Sequence, residues 1–423
     1  MWYYRILVWL LLPLVLLRLG WRGWRERGYW QHVPERLGWY PTAPDKVPRI
    51  WLHAVSVGET RAAVPLVAGL QAQYPQYRLL LTHGTPSGRD MGRHLFGDSV
   101  DQRYLPYDTA WAVRRFVRHY HPAVGVMMET ELWPNLVLAC EGARVPLILA
   151  NARMSERSAS RYRRFLSLTQ TMLTRLCRVA AQSDEDAHRL RELGAQRVTV
   201  MGNLKFDQQP SQQLLDLASH WRAGLAPGRL VCVAASTRAQ EEALILDVWQ
   251  RVAPRDALLV LVPRHPQRFG AVAQLLEQRG LVSVRRSSGS LPTAATQVWL
   301  GDSMGEMSAW FALADVAIIG GSLLPFGGQN LIEATSVGCP VIVGPHMWNF
   351  AQATRAAVDR GAALALTDVQ ELADVLLSLL TDEKARQRMH DAGLKFSQDH
   401  RGAMAHLLPL VAECLAQNAA HGG

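Results

Sequence analysis

A repeated succession of short apolar run, polar turn and helical stretch constrains the fold of this chain more than any other feature. Alternation of this kind is typical of a parallel β-sheet with helices on both faces. Helical stretches are predicted from about Thr60 and after Pro86. The apolar runs of the first half are RIWLHAV, YRLLLTH, AVGVMME and VPLILAN.

The pattern halts at residues 207–228 and then restarts with RLVCVAAS, ALLVLVPRH, QVWLGD, DVAIIGGS and CPVIVGP. A chain of 423 residues suits two domains. Two doubly wound halves would bind ligand in a cleft at the carboxyl ends of their strands. The predicted division is an N-terminal anchor with a basic flank (1–33), a first domain (34–206), a connection (207–228), a second domain (229–398) and a C-terminal helix (399–423).

The net charge indicates which partners the chain can bind, and the cysteine content indicates its redox environment. The net charge of +9 favours an acidic partner: nucleic acid, anionic lipid or a phosphorylated substrate. No RNA-binding or zinc-finger signature is present, so no nucleic-acid partner is expected. The five cysteines are widely spaced and include no CxxC pair. This argues against a zinc knuckle or a disulfide framework and fits a reducing compartment.

The N-terminus predicts a membrane anchor. Residues 6–17 are apolar, aromatic residues precede them, and four arginines follow between Arg18 and Arg27. A cleaved signal peptide is less favoured, since no small-x-small cleavage site is present and most of the charge follows the apolar run. The positive-inside rule then keeps the bulk of the chain in the cytoplasm. The pattern leaves open whether the segment spans the bilayer or lies in its interface.

The stretch GGSLLPFGGQNLIEATSVGCPVIVGP (320–345) is the most specific in the second half. Its two glycine pairs permit close backbone approach, and a short helix is predicted from Gln329 to Val337, ended by Gly338. The N–H groups that open such a helix suit a phosphate, and Glu333, three residues after Asn330, suits ribose hydroxyls. An ordinary glycine-rich turn is the alternative, but the combination favours nucleotide binding.

Two other turns of the second half carry polar residues. Arg264 and His265 follow a strong β run and suit a phosphate or a base edge, with a solvated Arg and a backbone-satisfied His as an equal alternative. In GDSMGEMSAWF, Ser303 and Glu306 predict a capping box before an apolar helix. The same turn leaves backbone N–H groups available to a ligand.

In the first half, METELWPNL and VTVMGNLKFD end apolar runs with charged residues. Glu129 and Glu131 would share a side of an extended segment, and nearby like charges raise a carboxyl pKa. Glu131 also suits the start of a helix at Pro134, which makes Glu129 the stronger functional candidate. Lys205 is a weak electrostatic candidate, since surface lysines are common. The basic helical stretch 151–165 is either a solvated face or a site for an anionic lipid headgroup.

HAVSVGET (53–60) places a His, a Ser and a Glu close together. A nucleophilic serine usually lies in a G-x-S-x-G turn, and this stretch lacks the first glycine. His53 precedes Ser56 in the same strand and is poorly placed to activate it. A catalytic triad is therefore rejected, and no compact metal-ligand motif is present in the sequence.

Six motifs in order, HAVSVGE, ETELWPN, NARMSERS, GNLKFD, PRHPQRF and GGSLLPFGGQNLIEA, resemble those of the 3-deoxy-D-manno-octulosonic acid (Kdo) transferases of lipid A assembly. The resemblance covers nearly the whole chain and includes the N-terminal anchor. It implies a GT-B glycosyltransferase architecture, two Rossmann-like domains facing across a cleft, with an acceptor domain first and a CMP-sugar-binding domain second. It also implies inverting, metal-independent and cofactor-free transfer from CMP-Kdo to a lipid A precursor, lipid IVA, at the cytoplasmic face of the inner membrane.

The resemblance also assigns residues. Glu59 would be the general base, and Glu129 and Lys205 would stabilise the transition state. One position departs from the family pattern, since Gln329 stands where a His is expected, and Gln can still donate and accept hydrogen bonds. The residues implied around the CMP moiety are Arg264, His265, Met304, Gly305, Glu306, Asn330, Leu331, Ile332 and Glu333.

The pKa of Glu59 and the donor remain open at this point. A helix N-terminus lowers a carboxyl pKa, whereas a good base wants a value near neutrality, so desolvation in a closed cleft is expected to offset the helix. The alternatives are another membrane-associated GT-B transferase that uses a UDP-sugar, and a non-catalytic protein that binds nucleotide-sugar or anionic lipid.

Overall fold

The fold is given by a computed structural model that describes residues 2–41 and 47–422 and divides into two compact units. The first unit comprises Met1–Gln208 together with Arg401–Gly423, and the second comprises Gln209–His400. Each unit contains one seven-stranded sheet in which every pair of neighbouring strands is parallel. The predicted class, α/β with two Rossmann-like domains and an N-terminal helix, is confirmed.

The sheet of the first unit has the order β3-β2-β1-β4-β5-β6-β7. In its centre His53, the last residue of β1, lies opposite Thr82 of β2 and Met127 of β4, so the carboxyl ends of these strands share one edge. The strands are β1 (Arg49–His53), β2 (Arg78–His83), β3 (Asp101–Tyr104), β4 (Pro122–Met128), β5 (Leu147–Ala152), β6 (Arg178–Ala181) and β7 (Val198–Val200). The helices are α1 (Trp2–Arg25), α2 (Val33–Arg36), α3 (Val57–Ala62), α4 (Val64–Gln73), α5 (Pro86–Phe96), α6 (Ala110–Tyr120), α7 (Pro134–Gly142), α8 (Glu156–Arg163), α9 (Leu166–Leu173) and α10 (Asp184–Glu192).

The sheet of the second unit has the order β10-β11-β9-β8-β12-β13-β14. Its strands are β8 (Val231–Thr237), β9 (Leu258–Pro263), β10 (Ser283–Arg285), β11 (Val298–Leu300), β12 (Val316–Ile319), β13 (Val341–Val343) and β14 (Ala363–Ala365). Its helices are α11 (Gln212–Ala223), α12 (Glu241–Val252), α13 (Phe269–Gln278), α14 (Met307–Leu313), α15 (Ile332–Ser336), α16 (Ala351–Asp359), α17 (Leu372–Thr381) and α18 (Glu383–Asp399).

The segment predicted as a connection, residues 207–228, contains helix α11. Trp221 on this helix is buried, and its ring stacks on Trp310 with centroids 4.1 Å apart and meets Trp299 edge-on. Burial of a large aromatic side chain is strongly favourable, which explains why this segment folds as part of the second unit. The second unit therefore begins near residue 209, before the predicted boundary at 229.

The C-terminal helix α19 (Ala403–Gly422) completes the core of the first unit. Leu407 and Val411 are fully buried in the cluster that also holds Ile50 and Leu52 of β1 and Val124 of β4. Because α19 returns to this sheet, Cys177 and Cys414 become neighbours and form a disulfide across 237 residues of sequence. This pair departs from the expectation of no disulfide framework. Three other cysteines, Cys140, Cys232 and Cys339, are free and buried.

Helix α1 corresponds to the predicted anchor. It has 24 residues, longer than the apolar core at 6–17, and its flanking aromatic and arginine residues belong to the same helix. Among the described residues it is the one helix that is long and apolar enough to cross a membrane, judged by length and composition. It is therefore compatible with a membrane anchor.

Candidate active site

Glu59 lies in the first turn of α3, at the carboxyl edge of the first sheet. Ser56 caps this helix by accepting a hydrogen bond from the Glu59 N–H at 3.4 Å. The carboxylate of Glu59 in turn accepts hydrogen bonds from Ser56 Oγ (3.0 Å, to Oε1) and from the Val55 N–H (2.8 Å, to Oε2). The S-x-x-E spacing is that of a capping box, although here Glu59 accepts from the N–H of Val55, one residue before the cap, and these bonds hold the carboxylate in one place. That signal is present in SVGE and was not used in the prediction.

The environment of Glu59 makes its carboxyl group a weaker acid than an ordinary glutamate. Burial raises the pKa of Glu59 to about 7, and the negative charge of Glu129 acts in the same direction. The hydrogen bonds from Val55 and Ser56 oppose this effect without cancelling it. The side chain is 8% exposed, so desolvation within the first unit already outweighs the helix N-terminus.

Glu129 and Lys205 form an ion pair beside this site. Glu129 follows β4 with a left-handed backbone (φ 58°), and its N–H donates to the Ala150 carbonyl at 2.9 Å. Lys205 Nζ lies 3.5 Å from Glu129 Oε1, and both side chains are only partly exposed. The structure thus brings together Glu59, Glu129 and Lys205.

A set of amide side chains holds the short 3₁₀ helix Leu204–Phe206 that carries Lys205. Asn151, at the end of β5, accepts a hydrogen bond from the Leu204 N–H on its Oδ1 at 3.1 Å. Gln182 donates to the Asn151 carbonyl at 2.9 Å and accepts from Asn203 Nδ2 at 3.2 Å. Asn203 also accepts from the Lys205 N–H at 3.0 Å. Sequence reasoning did not single out Asn151, Gln182 or Asn203 individually.

The structure agrees with the rejection of a catalytic triad in HAVSVGET. His53 is buried, and its Nδ1 lies 2.9 Å from Thr82 Oγ1. Burial lowers the pKa of His53 to about 3, so the ring is neutral near pH 7. Ser56 Oγ donates to the Glu59 carboxylate, which leaves its hydroxyl in a capping role.

In the second unit, Arg264 and His265 follow β9 at the carboxyl edge of the sheet. The Arg264 N–H donates to the Thr237 carbonyl at 3.0 Å, which fixes the turn next to the end of β8. His265 Nε2 lies 2.6 Å from Arg238 Nη1. Burial and the neighbouring arginines, Arg238 first, lower the pKa of His265. This concentration of positive charge suits an anionic group such as a phosphate.

The turn at 302–306 is organised by salt bridges. Asp302 pairs with Arg285 at 2.7 Å and accepts hydrogen bonds from the backbone and hydroxyl of Ser287. Glu306 pairs with Arg286 at 2.8 Å and accepts from Ser303 Oγ. Glu306 itself precedes the first residue of α14, so the capping box predicted from Ser303 and Glu306 does not form in that register.

Met304 and Gly305 form the exposed tip of the same turn. The Met304 side chain is exposed, and Gly305 has a left-handed backbone (φ 87°) that favours glycine.

The glycine-rich stretch departs from its predicted helix. Helix α15 starts at Ile332, three residues after the predicted start, because Asn330 Oδ1 accepts the Ile332 N–H at 3.1 Å and caps the turn. Asn330 Nδ2 also donates to Glu333 Oε1 at 3.3 Å. The side chains of Leu331 and Ile332 are buried, so any contact that these two residues make with a ligand is through their backbone.

Glu241 positions the loop that precedes this helix and was missed by sequence reasoning. Its buried carboxylate accepts hydrogen bonds from the N–H groups of Gly321 (2.6 Å), Leu323 (3.0 Å) and Leu324 (3.3 Å). It also accepts from the Arg238 N–H at 2.8 Å. One side chain therefore ties the end of β8 to the loop after β12. A Glu at the start of a helix gives no local sign of this role, because its partners lie about 80 residues later.

The predicted site residues thus fall into two groups, each at the carboxyl edge of its own sheet. Glu59, Glu129 and Lys205 belong to the first unit, and the residues assigned to CMP belong to the second. Within residues 2–41 and 47–422, no group of three or more His, Cys, Asp or Glu side chains is arranged to hold a metal ion.

Comparison with known proteins assigns a family. Residues 31–208 match the family model described as 3-deoxy-D-manno-octulosonic-acid transferase (kdotransferase), and residues 278–396 match that of glycosyl transferases group 1. A 3-deoxy-D-manno-octulosonic acid transferase of Bordetella pertussis is 42% identical over 421 residues, covering 96% of this chain and 97% of that protein. The Haemophilus influenzae protein of the same name is 37% identical, covering 98% and 99%.

A solved structure supports the fold alone. A glycosyltransferase from Rickettsia africae superposes with a TM-score of 0.59 at 12% identity, covering 88% of this chain and 99% of that one. The two nearly full-length relatives and the matched family model together confirm the resemblance seen in the six motifs. The chain belongs to the 3-deoxy-D-manno-octulosonic acid (Kdo) transferase family, glycosyltransferases of lipopolysaccharide biosynthesis.

Proposed function

We propose that this enzyme transfers Kdo from CMP-Kdo to the lipid A precursor lipid IVA, with inversion and without a metal ion. We place the reaction at the cytoplasmic face of the inner membrane, to which α1 attaches the enzyme. The observation that carries the proposal is the buried Glu59 carboxyl group, whose pKa of about 7 suits proton transfer near neutral pH.

Glu59 acts as the general base in this proposal. Its carboxylate takes the proton of an acceptor hydroxyl while that oxygen attacks the anomeric carbon of Kdo. The hydrogen bonds from Val55 and Ser56 use one lone pair on each carboxylate oxygen. Each oxygen keeps another lone pair for the acceptor hydroxyl. The capping arrangement therefore orients the base without blocking it.

Glu129 and Lys205 act as a pair that stabilises the transition state. Positive charge develops at the anomeric carbon as the bond to the phosphate oxygen breaks, and a fixed carboxylate favours it. The Lys205 ammonium, 3.5 Å from Glu129, offsets the repulsion between two neighbouring carboxylates and offers a positive charge to the acidic sugar. A pre-oriented pair of this kind needs little rearrangement during the reaction.

The second unit binds the CMP moiety in this proposal. Arg264 and the adjacent Arg238 supply positive charge for the phosphate that leaves, and the neutral ring of His265 offers it a hydrogen bond. The turn at 304–306 and residues 330–333 surround the nucleoside, with Glu333 as an acceptor for ribose hydroxyls. The bond from the anomeric carbon to the phosphate oxygen breaks, and CMP departs with the electron pair.

The test is a transfer assay with the full-length enzyme, CMP-Kdo and lipid IVA, with products identified by mass spectrometry. Glu59→Gln is expected to lower kcat by about 10²–10⁴-fold at saturating donor, because the proton acceptor is lost. Ser56→Ala is the matched control, since it removes a hydrogen bond to Glu59 and keeps the carboxylate. Thermal melting of both variants measures how much stability each substitution costs at the start of α3. A loss of activity in Glu59→Gln beyond that of an equally destabilised Ser56→Ala is then due to loss of the base.

Three results would contradict the proposal. Unchanged turnover in Glu59→Gln would remove Glu59 as the base. Stronger inhibition by UDP than by CMP would favour a UDP-sugar donor. Absence of any Kdo-containing product, with nucleotide still bound, would favour a non-catalytic binding protein.

A further inference from the structure

One face of α1 is less exposed than the opposite face. Residues at helical spacing have reduced exposure, whereas those on the opposite face are open: Leu19 is 7% exposed, but Leu10 and Leu17 are each 70% exposed. The residues with reduced exposure on this face are Tyr4, Val8, Leu12, Val15, Leu19 and Gly23.

The N-terminal end of α1 is hydrogen-bonded to the folded part of the unit. Tyr4 Oη donates to Asp108 Oδ2 at 2.9 Å, and Arg5 Nε donates to Asn135 Oδ1 at 3.3 Å. Asp108 is buried and also accepts the backbone N–H groups of Asn135 and Leu136 at the start of α7. These contacts join the beginning of α1 to the turn before α6 and to the first turn of α7.

The C-terminal end of α1 is also held against the unit. Gly23 lies against the ring of Trp30, where any larger side chain would overlap the ring. Trp30 belongs to the 3₁₀ helix Arg27–Trp30, and its Nε1 donates to the Gly20 carbonyl at 3.3 Å. In the same segment the ring of Tyr29 lies 5.9 Å from the guanidinium of Arg36, which is buried.

These two attachments are incompatible with a helix that crosses the bilayer. From Tyr4 to Gly23 the helix axis extends by about 28 Å at 1.5 Å per residue, close to the ~30 Å hydrocarbon core. A spanning helix would therefore place Tyr4 and Gly23 on opposite surfaces of the membrane. Because both residues contact the same folded unit, that unit would have to occupy the space of the lipid.

We infer that α1 lies parallel to the membrane surface, with its exposed apolar face in the interface of an anionic phospholipid bilayer and its other face on the first unit. The inference rests on the membrane association proposed above and not on the transfer reaction. Exposed arginines suit anionic headgroups, and exposed tryptophans suit the boundary between headgroups and acyl chains. These residues are Arg18, Arg25 and Arg27, and Trp2, Trp9, Trp21 and Trp24.

The arrangement also bears on access to the acceptor. The acyl chains of a lipid A precursor stay in the membrane while its sugar hydroxyls protrude at the surface. A helix that lies in the interface would keep the first unit against that surface, whereas a spanning anchor would hold it only through the chain that follows the helix.

The test measures the depth of single positions of the full-length protein in the bilayer. Single cysteines replace Trp2, Leu10 and Leu17 on the exposed face, and each is labelled with an environment-sensitive fluorophore. The three free native cysteines are buried, so the label goes to the introduced thiol. Vesicles of phosphatidylethanolamine and phosphatidylglycerol carry brominated lipids with bromine at shallow or deep acyl positions.

The three labels are expected to lie at the same depth. The fluorescence of each should be quenched more by the lipid brominated at the shallow position than by the lipid brominated at the deep one. Val15→Cys is the matched control on the opposite face and is expected to lose little fluorescence with either lipid. A label at position 10 quenched most by the deep bromine, together with equal quenching at position 15, would establish a spanning helix and overturn the inference.

Failure of the protein to bind the vesicles would also overturn the inference, and with it the membrane association. The Kdo transfer assay with detergent-dispersed acceptor does not depend on that binding. The outcomes therefore separate the orientation of α1, the membrane attachment and the reaction itself.

Discussion

Glu59 combines a structural role with the proposed catalytic one. Its carboxylate accepts hydrogen bonds from Val55 and Ser56 at the start of α3, and it is also the buried carboxyl group whose pKa is raised to about 7. Sequence reasoning placed Glu59 at a helix N-terminus, where a lowered pKa is expected. Desolvation in a closed cleft was expected to offset the helix, and burial within the first unit, together with the charge of Glu129, already raises the pKa, because an ionised carboxylate loses more by desolvation than the short helix α3 returns.

The pH dependence of the reaction tests this balance. Because the carboxylate is the active form, kcat/KM is expected to rise as pH increases through about 7. Glu129→Gln removes a neighbouring negative charge, which lowers the pKa of Glu59. The acidic limb of the pH profile should then move to lower pH, whatever the change in maximal rate.

Glu131→Gln provides the comparison for this measurement. Glu131 also raises the pKa of Glu59, but less than Glu129 does, so a smaller shift of the limb is expected. An acidic limb that stays in place in Glu129→Gln, or that moves equally in both variants, would contradict the assignment of the limb to Glu59.

At the scale of elements, three strands have a residue with a left-handed backbone at or next to their carboxyl end. Glu129 (φ 58°) follows β4, Asn151 (φ 52°) lies near the end of β5, and Ser236 (φ 56°) lies near the end of β8. Such a conformation costs energy in a residue other than glycine and is concentrated at functional sites. In this protein the left-handed residues turn the chain at the strand ends next to the candidate site residues.

Asn151 tests how one strand end positions Lys205. Asn151→Gly keeps the left-handed backbone and removes the acceptor for the Leu204 N–H. Displacement of the 3₁₀ helix should lower kcat by about 10- to 100-fold, with little change in the KM for the donor. Asn151→Asp keeps an acceptor oxygen and should restore much of the activity.

The measurement is a comparison of kcat and KM for the two variants and the wild type. The Asn151 Nδ2 is buried and has no hydrogen-bond partner among the described residues, so its loss in the Asp variant breaks no such bond. Equal defects in Asn151→Gly and Asn151→Asp would show that Asn151 does not act through Leu204.

What sequence reasoning could predict depended on how far apart in the sequence the interacting residues lie. The strand ends were predictable because an apolar run and the polar turn after it are adjacent in the sequence, which placed Glu59, Glu129 and Arg264 correctly at sheet edges. Glu241 was not predictable, because its backbone partners follow a different strand. The start of α15 was also missed, since the Asn330 cap competes with continuation of the helix toward Gln329.

At the scale of the whole molecule, the two units are not two successive halves of the chain. The chain leaves the first unit near residue 208, forms the second, and returns with α19 to complete the first core. The sequence pattern showed a C-terminal helix, but an amphipathic helix does not reveal which of two sheets it will cover.

The final prediction concerns separate unfolding of the two units. Leu407 is fully buried in the first unit, so Leu407→Ala should lower the free energy of unfolding of that unit by about 2–5 kcal/mol. Leu259→Ala, fully buried in the second unit, should have a similar effect on the other transition. His406→Ala on the exposed side of α19 should leave both transitions within about 0.5 kcal/mol of the wild type.

Scanning calorimetry and urea unfolding measure these changes. If Leu407→Ala and Leu259→Ala shifted the same transition, α19 would not stabilise the first unit independently of the second.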